Sequence, residues 1–209
     1  MAAKLISNMV PIVSKQYCSA SEIVLGVRSR PHVVNGGGFV VVDGSQKVVF
    51  RVDGCGILGK KEELILRDGN GSELLLIRRK GGIVEALSLS KQWKGYSHDY
   101  EGSQKSVFCL KEPKNSCLGK NSPMTISIAS NEYRNYKEFE IRGDFTSRNC
   151  VIVDSNGSIA AQVGVCDEVE KIMGNRDLYH VVVKPGIDQA FVFGVIAILD
   201  YIYDGSTRC

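Results

Sequence analysis

The densest run of cationic side chains in the sequence is Arg78-Arg79-Lys80, placed where an apolar segment runs out towards Gly81-Gly82. Guanidinium groups grip phosphate oxygens with paired donors, and a nearby ammonium adds a point charge. The run is therefore the candidate contact for an anionic phosphate group. Adjacent residues of a strand face opposite sides, so Arg78 and Arg79 serve one site only where the strand has already ended. The plainer reading is a solvated strand end whose charges discourage edge pairing. It is favoured because charge at strand ends is common.

Other motifs give less. Gly54-Cys55-Gly56-Ile57-Leu58-Gly59 has the glycine spacing of a dinucleotide loop, but that chemistry needs a following helix whose N-terminus faces the phosphate. Lys60 to Asp68 leads into another strand and turn instead, so a bend between strands is expected. Asp68-Gly69-Asn70 and Asp154-Ser155-Asn156-Gly157 begin like calcium loops. The twelfth positions, however, are Arg79 and Val165 rather than the glutamate such a loop requires. Both are expected to be hairpin turns. Nucleophilic catalysis needs a Ser or Cys, a His and an orienting carboxylate together. His32, His98 and His180 lie in unrelated contexts, and neither G-x-S-x-G nor H-E-x-x-H occurs. The sequence thus predicts no enzyme, no catalytic residue, no cofactor and no metal site. Trp93, with Tyr96 and Tyr100, either forms a partner surface or packs as a large core residue, and core is the expectation.

The bulk numbers agree with a single domain spanning residues 1–209, its core roughly 11–204 and its ends loose. Of 209 residues, 44% are hydrophobic and 23% charged, which excludes collagen-like and disordered classes. A net charge of +3 is too small for nucleic-acid binding by the whole chain. An anionic partner must be held by a local patch. The seven cysteines are odd in number, and none lies in a C-x-x-C pair. They read as reduced thiols packed as small hydrophobes. Ser7, Asn8 and Pro11 interrupt the opening apolar residues before a signal-peptide core is reached. A cytoplasmic protein, peripheral at membranes if it meets them at all, is the expectation.

The elements that must position these residues are short β-type runs divided by turn signals. They are Glu22–Ser29, Phe39–Asp43, Lys47–Asp53, Leu64–Asp68, Glu73–Arg79, Leu87–Tyr96, Val107–Lys111, Met124–Ala129, Glu138–Arg142, Asn149–Asp154, Ser158–Gly164 and Tyr179–Lys184. Three hairpins look alike. Phe39–Val52, Leu64–Ile77 and Cys150–Val163 each run apolar strand, Asp, glycine-bearing turn, apolar strand. Asp-Gly and Asn-Gly dipeptides in them accept the positive φ of tight turns.

One segment departs from the β pattern. Asp188 is a fitting N-cap for a helix reaching Tyr203, and Ala190 to Leu199 contains no polar residue. A helix apolar on every face is either membrane-spanning or enclosed by protein. Ten residues rise only about 15 Å, half the hydrocarbon thickness, so the helix must be enclosed. A closed, mainly antiparallel barrel of about a dozen strands around one central C-terminal helix follows, with Gly194 and Ala197 allowing close approach of the strands.

Several stretches then carry a family resemblance. They are Val13-Ser14-Lys15-Gln16-Tyr17-Cys18, Ile77-Arg78-Arg79-Lys80, Leu87-Ser88-Leu89 with Trp93, and Pro185-Gly186-Ile187-Asp188-Gln189-Ala190-Phe191-Val192 leading to Ile198-Leu199-Asp200. Over roughly Pro11 to Asp204 the chain resembles the plant LURP-one-related family, whose members have the tubby-like barrel. Gln189 stands where members usually carry Tyr or a similar residue, and Lys94 to Glu101 departs from the family pattern. The resemblance implies a plant-defence context and an interaction or regulatory role with an unknown protein partner. Tubby proteins bind phosphoinositides and the related scramblases act at membranes. By fold analogy the alternative is therefore a phosphoinositide-binding or lipid-handling protein, with Arg78, Arg79 and Lys80 as the candidate contact for an anionic lipid headgroup.

Overall fold

Alternation of apolar and polar residues builds twelve strands in this computed structural model, which describes residues 11–30, 37–54, 62–80, 91–98, 102–112, 123–128, 138–165, 178–204 and 207. They are β1 (Ile23–Ser29), β2 (Gly38–Val42), β3 (Val48–Asp53), β4 (Glu63–Asp68), β5 (Glu73–Arg79) and β6 (Gln92–His98). β7 (Gln104–Lys111), β8 (Met124–Ile128), β9 (Glu138–Asp144), β10 (Asn149–Asp154), β11 (Ile159–Val165) and β12 (Leu178–Val183) complete the set. Each strand pairs antiparallel with the next, and β12 returns to β1 with Ile23 opposite Val183 and Val27 opposite Tyr179. Closure leaves the sheet no free edge for another chain to extend. The region 87–91, expected to begin a strand at Leu87, lies partly outside the described residues, and β6 is described from Gln92.

The three similar hairpins share one turn. The side-chain Oδ1 of Asp43 accepts the N–H groups of Ser45 and Lys47 at 2.8 and 3.1 Å. Asp68 does the same with Asn70 and Ser72, and Asp154 with Asn156 and Ser158, all at 2.8–2.9 Å. The backbone carbonyl of each Asp accepts the N–H three residues on, from Gln46, Gly71 and Gly157. These three residues have φ of 66°, 90° and 79°. The pairing slips by one residue just inside each turn, at Val41/Val42, Leu66/Arg67 and Ile152/Val153. This is a type I turn followed by a left-handed bulge residue. In the first hairpin the sequence reading places the positive φ on Gly44, whereas Gln46 adopts it. Gly69 is needed for another reason, since a Cβ there would lie 2.4 Å from the Val48 carbonyl oxygen.

Down the barrel runs α1 (Gln189–Leu199), capped by Asp188 and continued by a wider π-helical turn over Asp200–Asp204. All eleven residues of α1 are buried. The Phe193 ring lies 5.4 Å from Phe50, and Phe191 meets Phe139 and Phe108 at 5.1 and 5.6 Å. Gly194 provides the close approach expected of it. A Cβ there would stand 2.8 Å from a Leu75 methyl and 3.4 Å from the Phe108 ring. On the other side Phe108 covers its cross-strand partner Gly95, where a Cβ would come within 2.3 Å of the ring. Two glycines, one on the wall and one on the helix, thus leave the space that one phenyl ring fills. Among the described residues no helix is long and apolar enough to cross a membrane.

Gln46 occupies a backbone region that costs a non-glycine residue about 1 kcal/mol. Gln46→Gly removes that cost, offset in part by the greater freedom of glycine in the unfolded chain. The expected result is a net gain of about 0.5 kcal/mol, or 1–2 °C in a calorimetric melt. A lower melting temperature for this variant would show that the turn is held by the Gln46 side chain instead.

Candidate functional site

β5 continues through Arg79, so the alternation of side chains applies to the basic run in full. Arg79 is opposite Trp93, whose indole lies in the core, and Arg78 is opposite Lys94 on the outer wall. Cross-strand partners share a face, so the two arginines serve different sides of the barrel. Arg79 ends at the rim, where its guanidinium ion-pairs with Glu62. Arg78 Nε lies 2.6 Å from Glu63 Oε2. Both arginines are engaged by acids from the β4 side. Lys80 is exposed, with its backbone N–H donated to the Gln92 carbonyl.

Register gathers a different basic group. Lys94 pairs with Cys109, Lys111 with Gln92, and the Lys80 backbone bonds Gln92 in turn. Burial pushes the Cys109 thiol up, against the pull of Lys94, Lys111 and Lys80, whose charges all act on it. Lys80, Lys94 and Lys111 therefore surround one point on the outer wall of β5–β7. Sequence reasoning found Lys80 and missed Lys94 and Lys111, because they stand 14 and 31 residues further along the chain. The signal that would find them is a Lys at outward positions of consecutive strands, usable once pairing is known.

The remaining candidates resolve simply. Cys55 to Gly59 of the glycine-rich motif, His32 and Tyr100 lie outside the described residues. The calcium-like segments are the hairpin turns described above. Trp93 is 1% exposed, donates its indole N–H to Glu112 at 2.9 Å and meets the Tyr201 ring edge-on at 4.9 Å. His180 stands over Gly164, where a Cβ would come 2.7 Å from its Nε2. His98 Nδ1 faces Glu73 at 3.8 Å, near the end of β6. Among the described residues, no three His, Cys, Asp or Glu side chains are grouped to hold a metal ion.

Comparison with known proteins matches the chain to one family. The family model described as LURP-one-related matches residues 23–200, which is β1 through the first residue beyond α1. The chain is 55% identical to Protein LURP-one-related 6 of Arabidopsis thaliana, covering 96% of this chain and all of that one. It is 50% identical to Protein LURP-one-related 16 of the same plant over the full length of both. The crystal structure of another Arabidopsis thaliana protein superposes with a TM-score of 0.63, covering 91% of this chain and 97% of that chain at 20% identity. That likeness carries the fold.

The described thiols are packed rather than poised. Cys18, Cys109 and Cys150 are free, and Cys55, Cys117, Cys166 and Cys209 lie outside the described residues. Burial, with the nearby Asp188 charge, pushes Cys18 up to about 11. Burial pushes Cys150 up to about 12, opposed by Arg148. At pH 8 their thiolate fractions are then about one in a thousand and one in ten thousand. Native protein treated with iodoacetamide at pH 8 is expected to modify both at least about a hundredfold more slowly than urea-unfolded protein. The rates should climb about tenfold per pH unit while the fold persists. Peptide mass spectrometry gives both rates, and equal native and unfolded rates would refute this.

Proposed function

The chain belongs to the LURP-one-related family, and on that premise we propose that it is a non-catalytic, cytoplasmic interaction module acting in plant defence. The supporting observation is the occupancy of the barrel axis. Every residue of α1 is buried and its aromatic side chains pack against the inward residues of the wall. An interior occupied by the buried phenyl and aliphatic side chains of α1 and the wall leaves recognition to the outer wall and the rims. The defence context comes with the family resemblance. The reading is tested by rescue of the defence phenotype in a plant line lacking the protein. His98→Ala, His180→Ala and Cys109→Ser should each rescue as well as wild type at matched protein levels. Loss of rescue by a folded variant of this set would point to catalysis and overturn the reading.

A second reading, binding of an anionic phospholipid headgroup by a membrane-peripheral protein, is favoured by the convergence of Lys80, Lys94 and Lys111 on the outer wall. The candidate run Arg78-Arg79-Lys80 contributes to it through Lys80, with Arg78 flanking on the same face and Arg79 turned to the other. Basic residues at an anionic membrane surface are worth about 1 kcal/mol each. Wild type is expected to float with vesicles containing phosphatidylserine and to release as salt rises past about 0.15 M, where the Debye length is about 8 Å. Lys80→Ala/Lys94→Ala/Lys111→Ala should stay in the soluble fraction. Equal flotation of both proteins would remove this face as the membrane contact.

A further inference from the structure

A second cationic site lies on the wall of β1–β4, and here the side chains are already organised around an anion. The carboxylate is Asp53, the last residue of β3, with its side chain 16% exposed. Arg30 Nη2 reaches Asp53 Oδ1 at 2.7 Å and also donates to the carbonyls of Val52 and Gly37 at 2.7 and 2.9 Å. Arg51 places Nε 3.0 Å from Oδ1 and Nη2 3.1 Å from Oδ2. Arg67 brings its Nε to 3.1 Å from Oδ2. Three guanidiniums therefore share one carboxylate.

The charge of this group is unbalanced. With the neighbouring Arg28 included, four cations face two anions, Asp53 and Glu73, an excess of two where the whole chain carries only +3. Glu73 approaches from the far side of Arg67, at 3.9 Å from its Nη2. The exposed Arg28 is the fourth cation. It occupies the same row as Arg51 and Arg67, opposite Val40, which is opposite Arg51. Two strand spacings put Arg28 and Arg51 about 10 Å apart at the backbone, within reach of two long side chains. Burial pushes the Asp53 carboxyl up, but hydrogen bonds and charge from Arg51 and Arg30 outweigh it and hold the group below the usual carboxylate range. Asp53 is thus a fixed anion that orients the arginines without neutralising them.

The division of labour among the arginines is also set. Arg30 is 15% exposed and its Nη2 is spent on three oxygens, so it is the rigid base. Arg51 is 41% exposed and Arg67 is 27% exposed. Each guanidinium carries five N–H donors in a planar fork; Arg67 also donates Nη1 to the Gly71 carbonyl at 3.2 Å and faces Glu73 through Nη2, so Arg51 has the more donors to offer.

We propose that Arg51 and Arg67, backed by Arg30 and Asp53 and flanked by Arg28, form a binding site for a phosphate dianion on the outer wall of β1–β4. Two excess positive charges match a dianion, and paired guanidinium forks match the spacing of phosphate oxygens. The phosphate is that of a soluble phosphate ester or of a phosphoinositide headgroup, which present the same chemistry. The site is separate from the lysine face of β5–β7 and stands whether or not that face meets a membrane.

The test uses the full chain with two probes, inorganic phosphate followed by NMR and phosphatidylcholine vesicles carrying phosphatidylinositol bisphosphate followed by flotation, both at low salt. Phosphate is expected to shift the Arg51 and Arg67 side-chain resonances saturably, and Arg51→Gln should weaken binding by about tenfold. Arg51 is the most exposed of the three, so this variant is chosen to keep the fold, and its melting temperature verifies that. Arg51→Lys should fall between the two, keeping the charge and losing the fork. The Lys80→Ala/Lys94→Ala/Lys111→Ala protein should bind phosphate as wild type does. Vesicle binding that Arg51→Gln also weakens would assign the lipid source, and phosphate binding without it would assign a soluble ester. No saturable shift in wild type, or equal binding by wild type and Arg51→Gln, would overturn the proposal.

Discussion

The carboxylate of Asp188 accepts backbone N–H groups from two directions. Its Oδ1 takes those of Ala190 and Phe191, the first turn of α1, at 3.0 and 3.3 Å. Its Oδ2 takes those of Ile12, Val13 and Ser14 at 3.0, 2.7 and 2.9 Å. The side chain is fully buried, and a buried anion is tolerated only where hydrogen bonds replace its hydration. Five N–H donors and the positive end of a helix do so here. The same atoms solve two further problems. An enclosed helix has no water to satisfy its first N–H groups, and the segment before β1 needs an anchor across the barrel end. A short bridge between Cys18 and Asp188 and the bond from Gly186 N to the Ser19 carbonyl extend that anchor. An Asn at this position offers one acceptor oxygen and an NH2 group, so it would set donor against donor on one side.

Because the helix is held there, the interior of the barrel is committed to packing. Inward residues meet α1, and only outward positions of the strands remain for recognition. Pairing then decides which charges become neighbours. Arg28, Arg51 and Arg67 form one row across β1–β4, while Lys94 and Lys111 join Lys80 across β5–β7. Neither group is contiguous in the chain. Arg78-Arg79-Lys80, which is contiguous, is divided by the pleat and engaged by Glu62 and Glu63.

That contrast marks what the sequence discloses. Over the described residues, alternation with Asp-led turns locates the twelve strands to within a few positions, and uniform apolarity locates α1. These are local patterns, carried by residues within ten or so positions of each other. The N-cap role of Asp188 is legible for the same reason. Its bonds to Ile12, Val13 and Ser14 are not, because they join positions about 175 apart along the chain. Gln46 was missed because turn propensity favours Gly44, two positions earlier, yet the bulge geometry demands a positive φ at the third residue after Asp. The Asp53 cluster draws on Arg30, Arg51 and Arg67, and its existence depends on β1 to β4 lying in register.

Net charge misleads for a related reason. A total of +3 suggests an unremarkable electrostatic surface, but at physiological ionic strength charges more than about 8 Å apart hardly sense each other. What an approaching ligand meets is the local excess. Around Asp53 and Glu73 the arginines outnumber the acids, whereas Arg142 is paired with its own neighbour Glu140 at 2.8 Å and offers little. A barrel closed on a packed helix has few other ways to distinguish one part of its surface from another. Cross-strand rows of like charge, held by register and oriented by the half-buried Asp53, let such a fold recognise an anion without opening its core.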